Sequence, residues 1–308
     1  MSTLSPQSSA LSPSAKPAEV VSYRQPKYRT TQQISRSEKI LAYTLLVVGS
    51  LAFLVPFYFV VNASLKTDAA VHAGDFISPT DFRWQNYPRA LSPEKMNFWP
   101  ALSNTVVVTT FSVIGQIISC SLVGFGFARF RFRGRSILFM VMLSTMMLPA
   151  QVTMIPVFVL FRSLGMIDTF WPLIIPMWLA SPFFVFMFRQ FFAQIPEELV
   201  EAAKIDGASS WRVYWQLMLP LSGPVIAIVA IYTFLNAWND FLGPLIYLNS
   251  PQQRTLALSL NAFNGQYGVS DAHLLMAAAV VCMLPCVILF FAAQKYFVES
   301  VAMTGLKA

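Results

Sequence analysis

The sequence predicts an all-α, polytopic membrane protein with about six transmembrane helices. Two observations carry this reading. Hydrophobic residues make up 56% of the 308 and charged residues only 11%, at a mean hydropathy of +0.58. Soluble domains carry roughly a quarter charged residues. A chain this apolar needs lipid as its solvent, which overrides the two soluble domains that length alone suggests. The second observation is spacing. Six apolar runs recur, each about 20 residues or longer, the length that crosses a bilayer.

Residues 1–37 are rich in Ser, Pro and Gln and lack apolar periodicity, so they read as a disordered cytoplasmic tail. Residues 38–308 read as the transmembrane domain. The first run is Ile40 to Val61. Val61-Asn62-Ala63 faintly resembles a signal-peptide cleavage site, but the run is too long for a signal core and so is the tail before it. It reads as a span. The others fall at Leu102 to Phe127, Ile137 to Leu160, Phe170 to Phe192, Leu221 to Leu248 and His273 to Val298. Prolines 149, 156, 172, 176, 182, 224, 244 and 285 lie inside these runs. Membrane helices accept proline where neighbours re-satisfy the backbone, so kinked helices around a path are expected.

Six spans place both termini on one side. Of the 21 Lys and Arg, fifteen then share that side: six from Lys16 to Lys39, four from Arg129 to Arg135, then Arg189, Lys204, Arg212, Lys295 and Lys307. The remaining six are Lys66, Arg83, Arg89, Lys95, Arg162 and Arg254. Positive charge marks the cytoplasmic side, which makes both termini cytoplasmic in an inner (plasma) membrane. The net charge of +7 is thus a matter of topology. The basic and aromatic run Ala128 to Arg135 would suggest nucleic acid out of context. In a tight loop between two spans it reads as a topology determinant touching lipid headgroups, with no nucleic-acid partner.

Cys120, Cys282 and Cys286 all lie in apolar runs, so a disulfide framework is not expected. His72 and His273, the only histidines, lack zinc-type spacing, and no metal site is expected. No Ser/His/Asp set argues for a membrane-embedded enzyme. No glycine is directly followed by lysine, so the phosphate-binding GxxxxGK loop is absent and no cofactor is expected on this chain.

One loop on the basic side, residues 195–220, carries the functional signal. Pro196 suits a first helical position, and Glu197 and Glu198 suit the positive end of a helix dipole. Gly207 permits a left-handed stop, and Ser209 or Ser210 can cap a second helix. Trp211, Tyr214, Trp215 and Met218 then recur at helical spacing as an apolar stripe. A short helix pair with Ala202, Ala203 and Ala208 around its bend suits either docking of a partner or packing on its own bundle.

Glu201-Ala202-Ala203, then Asp206-Gly207-Ala208, then Leu219-Pro220 resembles the EAA motif of ABC importer permeases. Phe125 to Gly134, Met147-Leu148-Pro149, Leu164 to Thr169, Asn236 to Phe241 and Gln294 to Val298 resemble the carbohydrate-uptake branch, and within it the second permease of maltose-type importers. The ending Gly305-Leu306-Lys307-Ala308 departs from the family's glycine-rich tail. The resemblance implies a type I ABC importer permease fold and a non-enzymatic role. It also implies a second homologous permease and two ATP-binding subunits, which use ATP and Mg and dock on the loop. An extracytoplasmic solute-binding protein would deliver a carbohydrate to the other face, where residues 62–100 form the largest loop.

Asn236, Trp238, Asn239 and Asp240, polar or amphipathic within the fifth run, are the candidates for lining the path, since ionisable groups at membrane depth face protein or water. Gln151 and Asn104 are weaker ones. The rival class is an ion-gradient-driven secondary transporter, which predicts internal repeats around broken helices.

Overall fold

A computed structural model describes residues 36–74, 82–263 and 271–305, and the described part is helical with no strand. The expected tail thus falls almost wholly outside the described residues. Two compact units emerge, residues 1–53 and 54–308. In the first, α1 (Arg36–Ser64) begins, and its side chains from Ile40 to Phe53 stand exposed.

The second unit is organised around α4 (Phe98–Arg129). The helix presents Ala101, Cys120, Ser121 and Gly124 to its neighbours, all buried. Small residues let membrane helices approach closely. A Cβ on Gly124 would lie 2.6 Å from the Cβ of Phe188 and 3.1 Å from the Arg189 backbone nitrogen, both on α8 (Pro182–Gln194). Gly115 makes room in the same way for the Trp178 ring, whose Nε1–H donates to the Phe111 carbonyl at 3.1 Å. On its other side α4 packs against α12 (Gly223–Trp238). The last helix, α15 (Ala272–Gly305), packs against α12 and the short outer helices α2 (Asp68–His72) and α3 (Asn86–Ala90).

Four segments are long and apolar enough to cross a membrane: α1, α4, residues 171–194 and α15. Two more qualify only as bent pairs, which is where the sequence expectation needs correcting. The third run does not form one straight span. α5 (Arg135–Ser144) ends in a 3-10 turn, Thr145–Met147, and α6 (Ala150–Ser163) leaves at 98° to it. Pro149 sits at the break. It has no N–H to continue the ladder and it holds Leu148 extended. The fifth run is shorter than expected. α12 starts after a 76° bend at Ser222 and stops at Trp238; a separate α13 (Leu242–Tyr247) follows. The fourth run holds two pieces, α7 (Trp171–Ile174) with a 3-10 turn and then α8, joined at Ala180 in a left-handed conformation (φ 60°).

The loops segregate to opposite ends of α4. At its first end, the Asn104 amide donates to the Gln252 and Arg254 carbonyls at 2.7 and 3.0 Å, and Thr105 Oγ1 accepts the Leu256 N–H at 2.8 Å. Asn104 is therefore a staple between outer segments. Asp168 closes the same end: its carboxylate accepts the Asn249 and Ser250 backbone N–H groups, each at 2.9 Å, and the Ser250 hydroxyl. The hydroxyl contributes most, and together these donors hold the Asp168 carboxyl below the usual carboxylate range. Both histidines converge on one carboxylate here. His273 Nδ1 lies 3.1 Å and His72 Nδ1 3.5 Å from Asp68 Oδ1, joining α2 to the start of α15.

Candidate functional site

At the other end of α4 sits the loop that carries the motif. α9 (Glu197–Ile205) starts one residue later than expected, with Pro196 extended at the cap and two glutamates in the first turn. It closes by a pair of C-terminal hydrogen bonds: Ala208 N–H to the Ala203 carbonyl at 2.9 Å and Gly207 N–H to the Lys204 carbonyl at 3.0 Å. This is the 6→1 and 5→2 pattern of a Schellman motif. It requires a left-handed residue at Gly207, and φ there is +80°. Ser209 then caps α10 (Ser210–Val213) by accepting the Arg212 N–H at 3.3 Å. A π-helical turn, Tyr214–Met218, and the short α11 (Leu219–Leu221) lead into α12.

The expected stripe splits in two. Tyr214 and Met218 are fully buried at 0% exposure, whereas Trp211 and Trp215 remain 59% and 41% exposed. Tyr214 O–H lies 2.7 Å from the Ser121 hydroxyl on α4, and its ring lies 5.4 Å from that of Phe125. Val200, Val213, Tyr214 and Met218 share one apolar cluster with Phe125, Phe188 and Phe192. Arg129, at the end of α4, donates to the Phe192 and Ile195 carbonyls at 2.7 and 2.6 Å, which ties the entry of the loop to the same helix. Sequence reasoning saw Tyr214 only as part of the stripe and Arg129 only as part of the basic run; that both tie the loop to α4 left no local signal.

Anchored this way, the loop turns its motif outward. Glu201, Ala202, Asp206, Gly207 and Pro220 are exposed, while Ala203, Ala208 and Leu219 are half-buried. Beside them Ile205 is 87% exposed. An isoleucine so bare outside a membrane-length run leaves an apolar knob between acidic and small neighbours.

The path candidates separate. Asn236 and Asn239 share an exposed stripe of α12 with Tyr232 and Leu235. Their amides donate back to the Tyr232 and Leu235 carbonyls at 2.9 and 2.8 Å. Trp238 does not share that face. It is buried, stacked on Phe234 at 5.2 Å, and its Nε1–H donates to the Cys282 carbonyl at 3.1 Å, so it fastens α12 to α15. Asp240 is half-buried just past the helix, and its Oδ1 accepts the Gly243 N–H at 3.1 Å at the start of α13. Gln151 is exposed near the start of α6. Among the described residues no group of three or more His, Cys, Asp or Glu is placed to hold a metal ion.

The family described as binding-protein-dependent transport system inner membrane component matches residues 121–303, which contain the loop and α12. The arabinooligosaccharides transport system permease protein AraQ of Halalkalibacterium halodurans is 35% identical over 210 residues, 68% of this chain and 75% of that protein. The melibiose/raffinose/stachyose import permease protein MelC of Bacillus subtilis (strain 168) is 31% identical over 276 residues, 89% of this chain and 99% of that one. Among solved structures, a chain of a bacterial ABC transporter involved in import of the acidic polysaccharide alginate superposes with a TM-score of 0.75 at 26% identity. It covers 85% of this chain and 98% of its own.

Proposed function

Because this chain belongs to the family of binding-protein-dependent transport system inner membrane components, we propose that it is one of two permease subunits of an ATP-driven sugar importer. It binds no ATP itself. It pairs with a second, homologous permease, and the two together enclose the path. Two ATP-binding subunits dock on the 195–220 loops, and a solute-binding protein presents a carbohydrate to the face that holds α2 and α3. Both termini lie in the cytoplasm, a reading that the distribution of Lys and Arg supports.

The observation that carries this reading is the shape of the loop. Glu201, Ala202, Asp206 and Gly207 face outward from a turn that is closed by its own hydrogen bonds and fixed to α4 through Tyr214 and Arg129. A push on α9 is therefore delivered to α4 and α12, the helices at the centre of the bundle. ATP binding closes the ATPase pair, the docked loops move with it, and the path opens outward; hydrolysis resets it. Sugars are recognised by hydrogen-bonding side chains and aromatic faces, which supports Asn236 and Asn239 as path residues. The names of the relatives, which transport or import oligosaccharides, support the substrate class.

The test is purification of the chain from its native membrane in mild detergent, with ATPase assayed on the eluate. Co-purification of an ATPase and a second permease, with a rate raised by sugar-loaded binding protein, is the expected result. Gly207→Asp should still reach the membrane but lose that stimulation. A chain that purifies alone and moves solute on an ion gradient overturns the reading, and normal uptake by Gly207→Asp overturns the coupling role.

A further inference from the structure

Arg129 fixes the coupling loop, but the rest of the basic loop, Phe130 to Arg135, is used neither by the coupling reading nor by the path. It is nonetheless built. Phe130 is extended (φ −90°, ψ 136°), and an extended chain sends alternate side chains to opposite sides. The rings of Phe130 and Phe132 touch the bundle along one edge and stay nearly half exposed. Phe130 meets Phe125 edge-on at 5.5 Å, and Phe132 lies 6.1 Å from Phe127. Phe127 in turn lies 5.3 Å from Phe139, whose face carries the Arg189 guanidinium at 4.2 Å.

The intervening Arg131 and Arg133 are exposed. Arg135 is held in place by donating to the Phe130 carbonyl at 3.2 Å. Among the described residues no carboxylate lies within ion-pair distance of any of the three. Together with Phe132, Gly134, Ser136 and Ile137, Arg131 and Arg135 line a cleft of about 400 Å³. The cleft opens beside bare apolar surface: Ile137, Leu138, Met140 and Val141 of α5 are all more than half exposed.

Uncompensated guanidiniums select a phosphate or carboxylate, and the planar fork favours phosphate oxygens. Apolar surface continuous with the cleft selects a molecule that also carries hydrocarbon. We propose that this cleft binds the anionic headgroup of a membrane phospholipid, with the acyl chains lying along the exposed face of α5. The site rests on α4 and α5 being membrane segments and not on docking of an ATPase. A basic cluster next to a span gains about 1 kcal/mol per Lys or Arg from anionic lipid, so removing two arginines should weaken retention by roughly tenfold or more.

The experiment is native mass spectrometry of the full chain in mild detergent, with phosphatidylglycerol or phosphatidylcholine added at equal concentration. The wild type should retain phosphatidylglycerol in preference, and Arg131→Gln/Arg135→Gln, which removes both arginines of the cleft, should lose that preference. Arg162→Gln, at the other end of the bundle, should keep it. If the double variant fails to accumulate, Arg131→Gln alone should lower retention at least twofold. Equal retention by wild type and variants overturns the proposal. So does displacement of the lipid by inorganic phosphate, which would make the cleft a site for free anions. Unchanged lipid preference with loss of a co-purifying ATPase would assign the loop to a protein contact instead. The ATPase assay on wild type separately reads whether the importer reading stands.

Discussion

Asp168 shows how much a single residue can hold. Its backbone is left-handed (φ 62°), its N–H donates to the Tyr247 carbonyl at 2.8 Å, and its carboxylate gathers the chain at Asn249 and Ser250. Asp and Asn tolerate that conformation better than other side chains with a Cβ. The expected order of thermal stability in detergent is therefore wild type, then Asp168→Asn, then Asp168→Ala. The carboxyl titrates below the ordinary value of about 3.9, because the Ser250 hydroxyl and the two backbone N–H groups favour its charged form. A folded value below the unfolded one gives a contribution that is complete above the ordinary value and is lost as pH falls through the depressed one. Melts between pH 3 and pH 6 should show an acid loss in wild type that is smaller in Asp168→Ala; an identical acid limb in both would remove Asp168 from the account. The sequence marked this stretch through resemblance only. A partner 81 or 82 residues away leaves no local trace. Trp238 was misread for a related reason: α12 is apolar all round, so periodicity gave no direction, and a tryptophan beside two asparagines looked like one of them.

At the scale of the element, the approach of α8 to α4 rests on one missing side chain. Gly124 has Phe188 and the α8 backbone within 3.2 Å of where a Cβ would sit, whereas Gly126, on the same helix, has nothing within 4 Å. Gly124→Ala should cost about 1–3 kcal/mol as an overpacked contact. Gly126→Ala should be neutral or gain up to about 1 kcal/mol, since alanine favours the helix. Denaturation of the two variants side by side checks this, and equal effects would mean that the helices are not locked at that point. The runs themselves were legible because transfer to lipid sums over a window of residues. Kinks were expected from the prolines, but where the runs bend was not legible, because a sum carries no direction. Proline is no sufficient flag: Pro56, Pro156 and Pro285 sit inside continuous helices, while Pro149 marks a 98° break. The split of Trp211 and Trp215 from Tyr214 and Met218 follows from two adjacent i, i+4 pairs, which a single-stripe reading merged.

At the scale of the whole molecule, the loops of residues 54–308 collect at two ends. Residues from Asn104 to Thr105, Asp168, and 249–256 meet at one end; Arg129, Phe192, Ile195 and Tyr214 meet at the other. Charge counting anticipated that division, since it samples every loop at once and tolerates errors at each boundary. It did not anticipate that His72 and His273, 201 positions apart in the sequence, would share Asp68. The division predicts labelling. A membrane-impermeant maleimide applied to intact spheroplasts should modify Glu94→Cys, whereas Ser210→Cys should react only after permeabilisation. The reverse pattern would invert the orientation, and labelling of both from outside would overturn the span count.

The turn at Gly207 has a consequence in time. Its two closing hydrogen bonds lie within the chain, between Ala203 and Ala208 and between Lys204 and Gly207, and its packing on α4 and α8 lies within the chain too, so its shape is set without a second subunit. A surface that is already ordered when bare gives up little conformational freedom on contact. Under the proposed coupling role it would be gripped and let go on every turnover without refolding, and the rate of re-engagement would be set by how quickly two stiff bodies meet.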